Sequence, residues 1–320
     1  MAKDNIRRSD SRIFSSSEQN TLKIANDSVI KRLLLDVKLK LTSGATAATG
    51  PFIEGAYNII KALNIDFDGR KRYNSKGVVQ AEYEKWANRI SGLPGDTLVA
   101  PAASSTNTIR FLLPIDFGLP FSDVPSMGFR DMSKFTNVYL NLTMGDISDL
   151  FSVVNNTVVT DITVDLYIHE ILGVKLTAST YIEHEIITEN LTASNSDKKI
   201  PLSRGDRDYL ALILRTQSAP STPANGIITG DIEIKGSEPN RGIFSLRKYE
   251  DETILKNENT LDNHNNAYTT GYSIIDFVRD GNYNGAIGTV NLTDFSIHVG
   301  VTGAASNKLD VISVTGMKGV

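Results

Sequence analysis

The chain has 320 residues, 40% of them apolar and 22% charged, with a formal net charge of −4 and no cysteine. The length accommodates two domains, the charge balance gives no global case for nucleic-acid binding, and the absence of cysteine excludes disulfides and thiolate metal sites. The N-terminal MAKDNIRRSDSRIF lacks the apolar run that follows the charges of a secretory signal. No stretch approaches the roughly 20 apolar residues of a membrane-spanning helix.

Residues 1–30 are polar and mixed in charge. Lys3, Arg7, Arg8 and Arg12 alternate with Asp4, Asp10 and serines, too few apolar groups to offset the entropy of ordering. The expectation is an N-terminal arm, mobile in the free protein. Arg7, Arg8 and Arg12 are its candidate contacts to a membrane or an acidic partner. A short helix within 17–30 would be anchored by Leu22, Ile24 and Ile30.

Arg32–Thr42 alternates as a strand, with Leu33, Leu35, Val37, Leu39 and Leu41 on one face. Gly44–Pro51 is a loop of small residues, and Ile59–Phe67 is a second strand. Val78–Ile90 has no proline or glycine, and Val79, Tyr83, Trp86 and Ile90 recur at helical spacing. The single tryptophan is therefore expected to be a packing anchor. Thr108–Phe117 reads as a strand whose Pro114 implies an edge or bulge. Phe135–Met144 places Val138, Leu140, Leu142 and Met144 inward, and Asp161–His169 does so with Ile162, Val164, Leu166 and Ile168. Gly173–Thr180 is the expected boundary, giving 31–175 and 176–320 as the two domains.

The second half repeats the plan. Tyr181–Leu191, Tyr209–Thr216 and Ile227–Lys235 read as strands, with Leu210, Leu212 and Leu214 sharing a face. Ile243–Leu255 is expected to be helical, in the slot that Val78–Ile90 takes in the first half. Tyr272–Val278 is a strand ended by turn residues. Phe295, Ile297, Val299 and Val301 alternate in another, and Leu309–Val314 is the last.

Several segments recur in both halves. Ile115-Asp116-Phe117 answers Ile275-Asp276-Phe277, and Phe135–Leu140 answers Leu292–Ile297. Ile59, Ile60, Leu63, Ile65 and Gly69 answer Ile227, Ile228, Ile232, Ile234 and Gly236. Leu33–Leu39 is aligned with Tyr181–Ile186. Many short strands with no regular βαβ alternation argue for an all-β protein of antiparallel sandwiches.

Chemical motifs are scarce. Phosphate-binding, dinucleotide-binding, zinc-protease and serine-hydrolase signatures are missing. His169, His184 and His298 occupy polar positions of alternating strands, and His264 lies in an Asn-rich loop. Glu183 and Glu185 read as the solvated outer face of a strand. Asp280-Gly281-Asn282-Tyr283-Asn284-Gly285 matches the first half of an EF-hand loop, making Asp280, Asn282 and Asn284 a calcium candidate. Its bidentate glutamate would fall at Asn291, and no helix precedes it, so the plainer reading is a turn between strands. No cofactor and no catalytic residue are expected.

With its two β-rich halves, each carrying a helix in the same slot, the chain resembles the double jelly-roll major capsid proteins of tailless icosahedral viruses, closest to those of internal-membrane phages of the corticovirus and tectivirus type. The likeness rests on Asp276–Gly281, on Leu292–Phe295, on Leu212-Ile213-Leu214-Arg215-Thr216, and on Arg32–Thr42 with Ile59–Phe67. It covers about residues 30–315. It implies two tandem eight-stranded jelly-roll barrels with short helices inserted in each. It further implies a non-enzymatic structural protein that forms a homotrimer, a pseudo-hexameric capsomer tiling an icosahedral shell around a lipid membrane. Implied partners are neighbouring capsomers, penton and minor membrane-associated capsid proteins and the membrane itself, with no sequence-specific nucleic-acid binding. The implied location is the virion capsid, assembled in the host cytoplasm. A carbohydrate-binding or carbohydrate-active β-sandwich protein is the alternative, and it would need exposed aromatics on a concave face.

Overall fold

A computed structural model describes residues 3–123, 125–176, 180–219, 222–256, 270–278 and 281–318. The chain divides into two compact units, Met1–Leu119 with Val124–Ser179, and Pro120–Asp123 with Thr180–Val320.

The first unit runs through β1 (Lys3–Phe14), β2 (Gln19–Lys23), β3 (Val29–Ser43), β4 (Thr49–Pro51), β5 (Ile60–Phe67), β6 (Arg70–Ser75), helix α1 (Gly77–Asn88), β7 (Thr106–Asp116), β8 (Arg130–Asp131), β9 (Val138–Met144), β10 (Phe151–Val153) and β11 (Thr157–Leu172). One sheet has the order β1-β11-β3-β7, and in the other β2, β9, β5 and β6 are successive neighbours. The short pair β4–β10 stands apart, and β8 extends the edge of β3. Counting only the eight long strands, one sheet joins the first, eighth, third and sixth, and the other the second, seventh, fourth and fifth. This is the double Greek key of a jelly roll.

The core follows from the alternation. Rows of inward residues cross three strands: Ile168–Leu33–Ile115, Leu166–Leu35–Leu113 and Val164–Val37–Phe111. All nine are buried, and each such side chain stabilises by about 1.5–3 kcal/mol relative to exposure. Pro114 lies on the edge strand β7, opposite Leu34, where its missing N–H breaks no ladder. α1 starts one residue before its expected position and stops at Asn88, with Arg89 in the left-handed conformation as its C-cap. Val79, Tyr83 and Trp86 are buried as expected, whereas Ile90 is outside the helix and exposed.

The N-terminal segment is not a separate arm, and no helix forms within 17–30. β1 pairs with β11 from Lys3↔Leu172 to Phe14↔Ile162, with a bulge between Arg8 and Asp10, and β2 pairs with β9. β1 is held by its backbone ladder and by charge, with Phe14 its one fully buried apolar side chain.

The second unit repeats the order. It contains β12 (Thr180–Asn190), β13 (Asn195–Pro201), β14 (Asp208–Ala219), β15 (Thr222–Pro223), β16 (Ile228–Glu238), β17 (Gly242–Tyr249), β18 (Tyr272–Asp276), β19 (Ile287–Gly288), β20 (Asp294–Val301) and β21 (Lys308–Lys318). One sheet joins β12, β21, β14 and β18, with β15 and β19 short additions to β14. The other has the order β13-β20-β16-β17. Each long strand therefore has a counterpart in the first unit, and the fold is a double jelly roll.

Four expectations are corrected here. Ile243–Leu255 is not a helix throughout: Gly242–Tyr249 is an edge strand on β16, and among the described residues of this stretch helix begins at 252. Topology pairs β3 with β14, and β12 with β1, so Leu33–Leu39 answers the strand of Leu212 and not Tyr181–Ile186. Leu210 does not share a face with Leu212 and Leu214. A bulge between Tyr209 and Ala211 shifts the register, and Tyr209 joins those two leucines in the core cluster. Gly69 does not answer Gly236 either: Gly236 pairs with Phe295 inside β16, as Phe67 pairs with Val138, whereas Gly69 lies in the turn beyond β5. Ile65 and Ile234 do correspond, opposite Leu140 and Ile297. Phe117 N donates to Lys31 O in one unit and Phe277 N to Leu210 O in the other, which places the two Ile-Asp-Phe segments at equivalent strand ends.

Candidate interaction surfaces

Among the described residues no group of three metal-ligating side chains converges. Asp280 lies outside the described residues. Asn282 turns its Oδ1 onto the backbone N–H of Asn284, capping a short turn at Tyr283–Gly285. Gly281 has φ +77°, and a Cβ there would stand 2.2 Å from the carbonyl oxygen of Phe121. Tyr283 Oη donates to Pro120 O. The loop thus cradles the backbone of the 120–123 segment within the second unit, which accounts for its Gly and Asn residues. His264 lies outside the described residues.

Arg7, Arg8 and Arg12 are on β1. Arg7 pairs with Glu170 at 2.8 Å and with Asp27; Arg8 reaches Asp165 at 3.5 Å and Arg12 reaches Asp10 at 3.8 Å. Glu170 and Asp165 are buried carboxylates. Glu170 also accepts from Asn5 and Ser28, and Asp165 from Ser11 and Lys38. Arg110 adds a bidentate pair with buried Asp36 at 2.8 and 2.7 Å. The Asp165 and Asp36 pairs tie the four strands β1, β11, β3 and β7 together on the outer face, whereas Glu170, which has the parity of Ile168, holds Arg7 at the end of the inward row. The Ser11 hydroxyl and the Lys38 ammonium hold the Asp165 carboxyl below the usual carboxylate range despite burial. Each of the three arginines thus faces a carboxylate within the first unit.

Glu183 and His184 were expected on a solvated face, but both are buried. Burial drives the imidazole of His184 down to about 3, so it is neutral at ordinary pH. Trp86 is buried in α1 and offers no stacking platform for a sugar. Asp197, His298 and Ser296 stand in acid–base–nucleophile order, with Asp197 Oδ1 to His298 Nδ1 2.8 Å and His298 Nε2 to Ser296 Oγ 3.3 Å. Ser296 is 1% exposed, so no acyl group can reach its oxygen, and the relay ties β13 to β20.

A second polar cluster fastens α1 to β7. Glu84 Oε1 accepts from Gln80 Nε2 at 2.8 Å and from Asp116 N at 2.9 Å, and Oε2 accepts from Asn88 Nδ2 at 2.9 Å. Gln80 in turn accepts from Tyr73 Oη at 2.6 Å, and Asp116 is paired with Arg32. Burial pushes the Glu84 carboxyl well above its usual range, and the Asp116 charge pushes the same way. A carboxyl raised in the fold contributes stability that is present below its unfolded value and is lost as pH rises through its folded value. The thermal midpoint of the first unit should therefore fall on this account as pH rises from the ordinary carboxylate range. Glu84→Gln, which fixes the neutral state, should gain on the parent steadily with pH. A midpoint difference that is flat or shrinks with pH would refute the assignment.

Each unit has two unlike ends. In the first, the β5–β6 turn meets the loop before β9, since Asp68 N donates to Asn137 O at 2.9 Å, and Asn26 Nδ2 donates to Phe135 O at 2.8 Å. α1 and the β4–β10 pair lie on connections at the opposite end, where Ser17 N bonds Gly145 O and Phe52 N bonds Leu150 O. In the second, the β16–β17 turn meets the loop before β20 through Thr293 N to Ser237 O at 2.8 Å. Arg204 Nη1 bonds Leu292 O at that same end.

No family model and no curated protein sequence matches the chain. Solved structures do match. The major capsid protein of Sulfolobus Turreted Icosahedral Virus superposes with a TM-score of 0.76 at 14% identity, covering 98% of this chain and 97% of that one. The major capsid protein of bacteriophage PM2 gives 0.64 at 11% identity, covering 99% and 98%. The Faustovirus major capsid protein gives 0.61 at 10% identity, covering 100% and 90%. At such identities the likeness is one of fold: this chain shares the double jelly roll of these capsid proteins over nearly its whole length.

Proposed function

We propose that this protein is the major capsid protein of an icosahedral virus. It forms homotrimers, and these act as pseudo-hexameric capsomers that tile a shell around an internal lipid membrane. The observation that carries the reading is the duplication. Two jelly rolls of the same strand order in one chain give two similar lobes, and three chains about a three-fold axis give six. Closed cyclic symmetry satisfies every lateral patch within such a ring. The buried Ser296 and the buried Trp86 support a structural role over catalysis or glycan stacking. The proposed location is the virion shell, assembled in the host cytoplasm. Its proposed partners are neighbouring capsomers and penton and minor membrane-associated capsid proteins.

Light scattering on the purified protein, extrapolated to low concentration, should give three times the chain mass. A folded chain that stays monomeric or dimeric under all such conditions would overturn the proposal.

A further inference from the structure

We propose that the short-turn end of each unit binds an anionic lipid surface, through Arg70, Lys71 and Lys134 in the first unit and through Arg241 with Ile243 and Val290 in the second. This rests on the shell reading and names the residues that would face its membrane.

In the first unit the β5–β6 hairpin turns through Asp68 and Gly69, both at positive φ, and a Cβ on Gly69 would meet nothing within 4 Å. The turn therefore projects into open space. Its acids are engaged by backbone N–H groups: Asp66 Oδ1 accepts from Gly69 N at 2.6 Å, and Asp68 Oδ1 accepts from Thr136 N at 3.0 Å and Asn137 N at 2.7 Å. Its cations are not so engaged. Arg70 and Lys71 are exposed, as is Lys134 in the loop that Asp68 grips, and among the described residues no carboxylate pairs with them. Most other exposed cations of this unit's sheets do have such partners, as Arg110 has Asp36 and Lys61 has Asp149.

The second unit builds the equivalent turn differently. Gly242 has φ +70° and open space around it. Arg241 stacks on the ring of Phe244 at 4.1 Å, and next to it Ile243 is 75% exposed. Val290, 63% exposed, lies in the loop tied to this end. A cation beside projecting apolar side chains matches the boundary of lipid headgroups and acyl chains. These are convex tips on short connections, without the groove or stacking aromatics by which a single-stranded nucleic acid is tracked. A flat anionic surface fits them better than a polyanion that must run along a chain of net charge −4.

The test is flotation of the intact protein with vesicles of phosphatidylcholine, with and without phosphatidylglycerol, at low and high salt. Each basic residue near an anionic surface multiplies partitioning about five-fold. Arg70→Glu with Lys71→Glu should therefore weaken binding to the phosphatidylglycerol vesicles by at least about twenty-five-fold, and salt should weaken the parent in the same direction. Ile243→Ser with Val290→Ser should also lower binding, with no change in thermal midpoint. Equal binding to neutral vesicles would overturn the inference. So would indifference to both variant pairs, or displacement by a DNA fragment with no effect of the serine pair. Scattering on the same samples separates the two proposals. Trimers that do not bind vesicles remove only this inference, whereas vesicle binding by a chain that never trimerises removes only the capsomer reading.

Discussion

Asp310→Ala is expected to destabilise the second unit by about 3–5 kcal/mol, the usual loss when one partner of a buried ion pair is removed. Asp310 sits on β21 between β12 and β14, with Thr188 and Arg215 as its cross-strand neighbours. Its carboxylate is wholly buried, and the Arg215 side chain is only 3% exposed. One oxygen accepts from Arg215 Nη1 and Gln217 Nε2, each at 3.1 Å, and the other accepts from Thr188 Oγ1 at 2.5 Å. Alanine would take away the acceptor of three donors at once, the Arg215 guanidinium among them. Lys199–Asp294 makes the comparison, since both side chains are more than two-fifths exposed, and exposed pairs contribute about 0–1 kcal/mol. Denaturant unfolding of Asp310→Ala and Asp294→Ala decides the matter. Equal losses would mean that the buried site relaxes or hydrates far more than its packing implies. Arg215→Met combined with Asp310→Leu should recover much of the loss, because both buried charges of the pair are then replaced by apolar groups together.

That cluster was only half legible in the sequence. Alternation reports that one face of a strand is buried, so β3, β9, β11 and β20 could be read with their inward residues. On β12 and β14 residues of both parities are buried, including Glu183, His184, Arg215 and Gln217. Polar positions on such strands look like solvent positions until neighbours are known. β1 and β2 failed for the opposite reason. An edge strand held by its ladder and by Arg7–Glu170 and Arg8–Asp165 carries almost no apolar period. β17 failed because Arg247-Lys248-Tyr249-Glu250 suits a helix in isolation, and pairing with β16 overrides that preference. The Asp68-Gly69 turn was visible as residue chemistry. Which loops gather at its end depends on strand order, and local pattern does not encode strand order.

Phe295→Ala is expected to cost about 3–5 kcal/mol, the range for emptying a buried aromatic site. Phe295 opens the inward row of β20 and belongs to the core cluster of the second unit, almost fully buried. Its ring meets Tyr209 at 4.7 Å and 65°, edge to face, an arrangement that adds about 0.5–1.5 kcal/mol to area burial. Across the ladder its partner is Gly236, where a Cβ would come within 3.1–3.3 Å of Leu246 and Leu292 side-chain atoms. The surrounding side chains are thus already close-packed. Tyr209 cannot swing in to fill the void, because its hydroxyl is fastened to Ser203 O at 2.5 Å. The cavity should stay open and the full penalty should appear. Ile243→Ala removes a large apolar side chain from the same unit, yet at 75% exposure it should change stability by no more than about 0.5 kcal/mol. Thermal and denaturant unfolding of the two variants side by side would test the core assignment. Comparable losses from both would show that burial does not divide core from surface here as described, and would also remove the ground for assigning Ile243 to a partner surface.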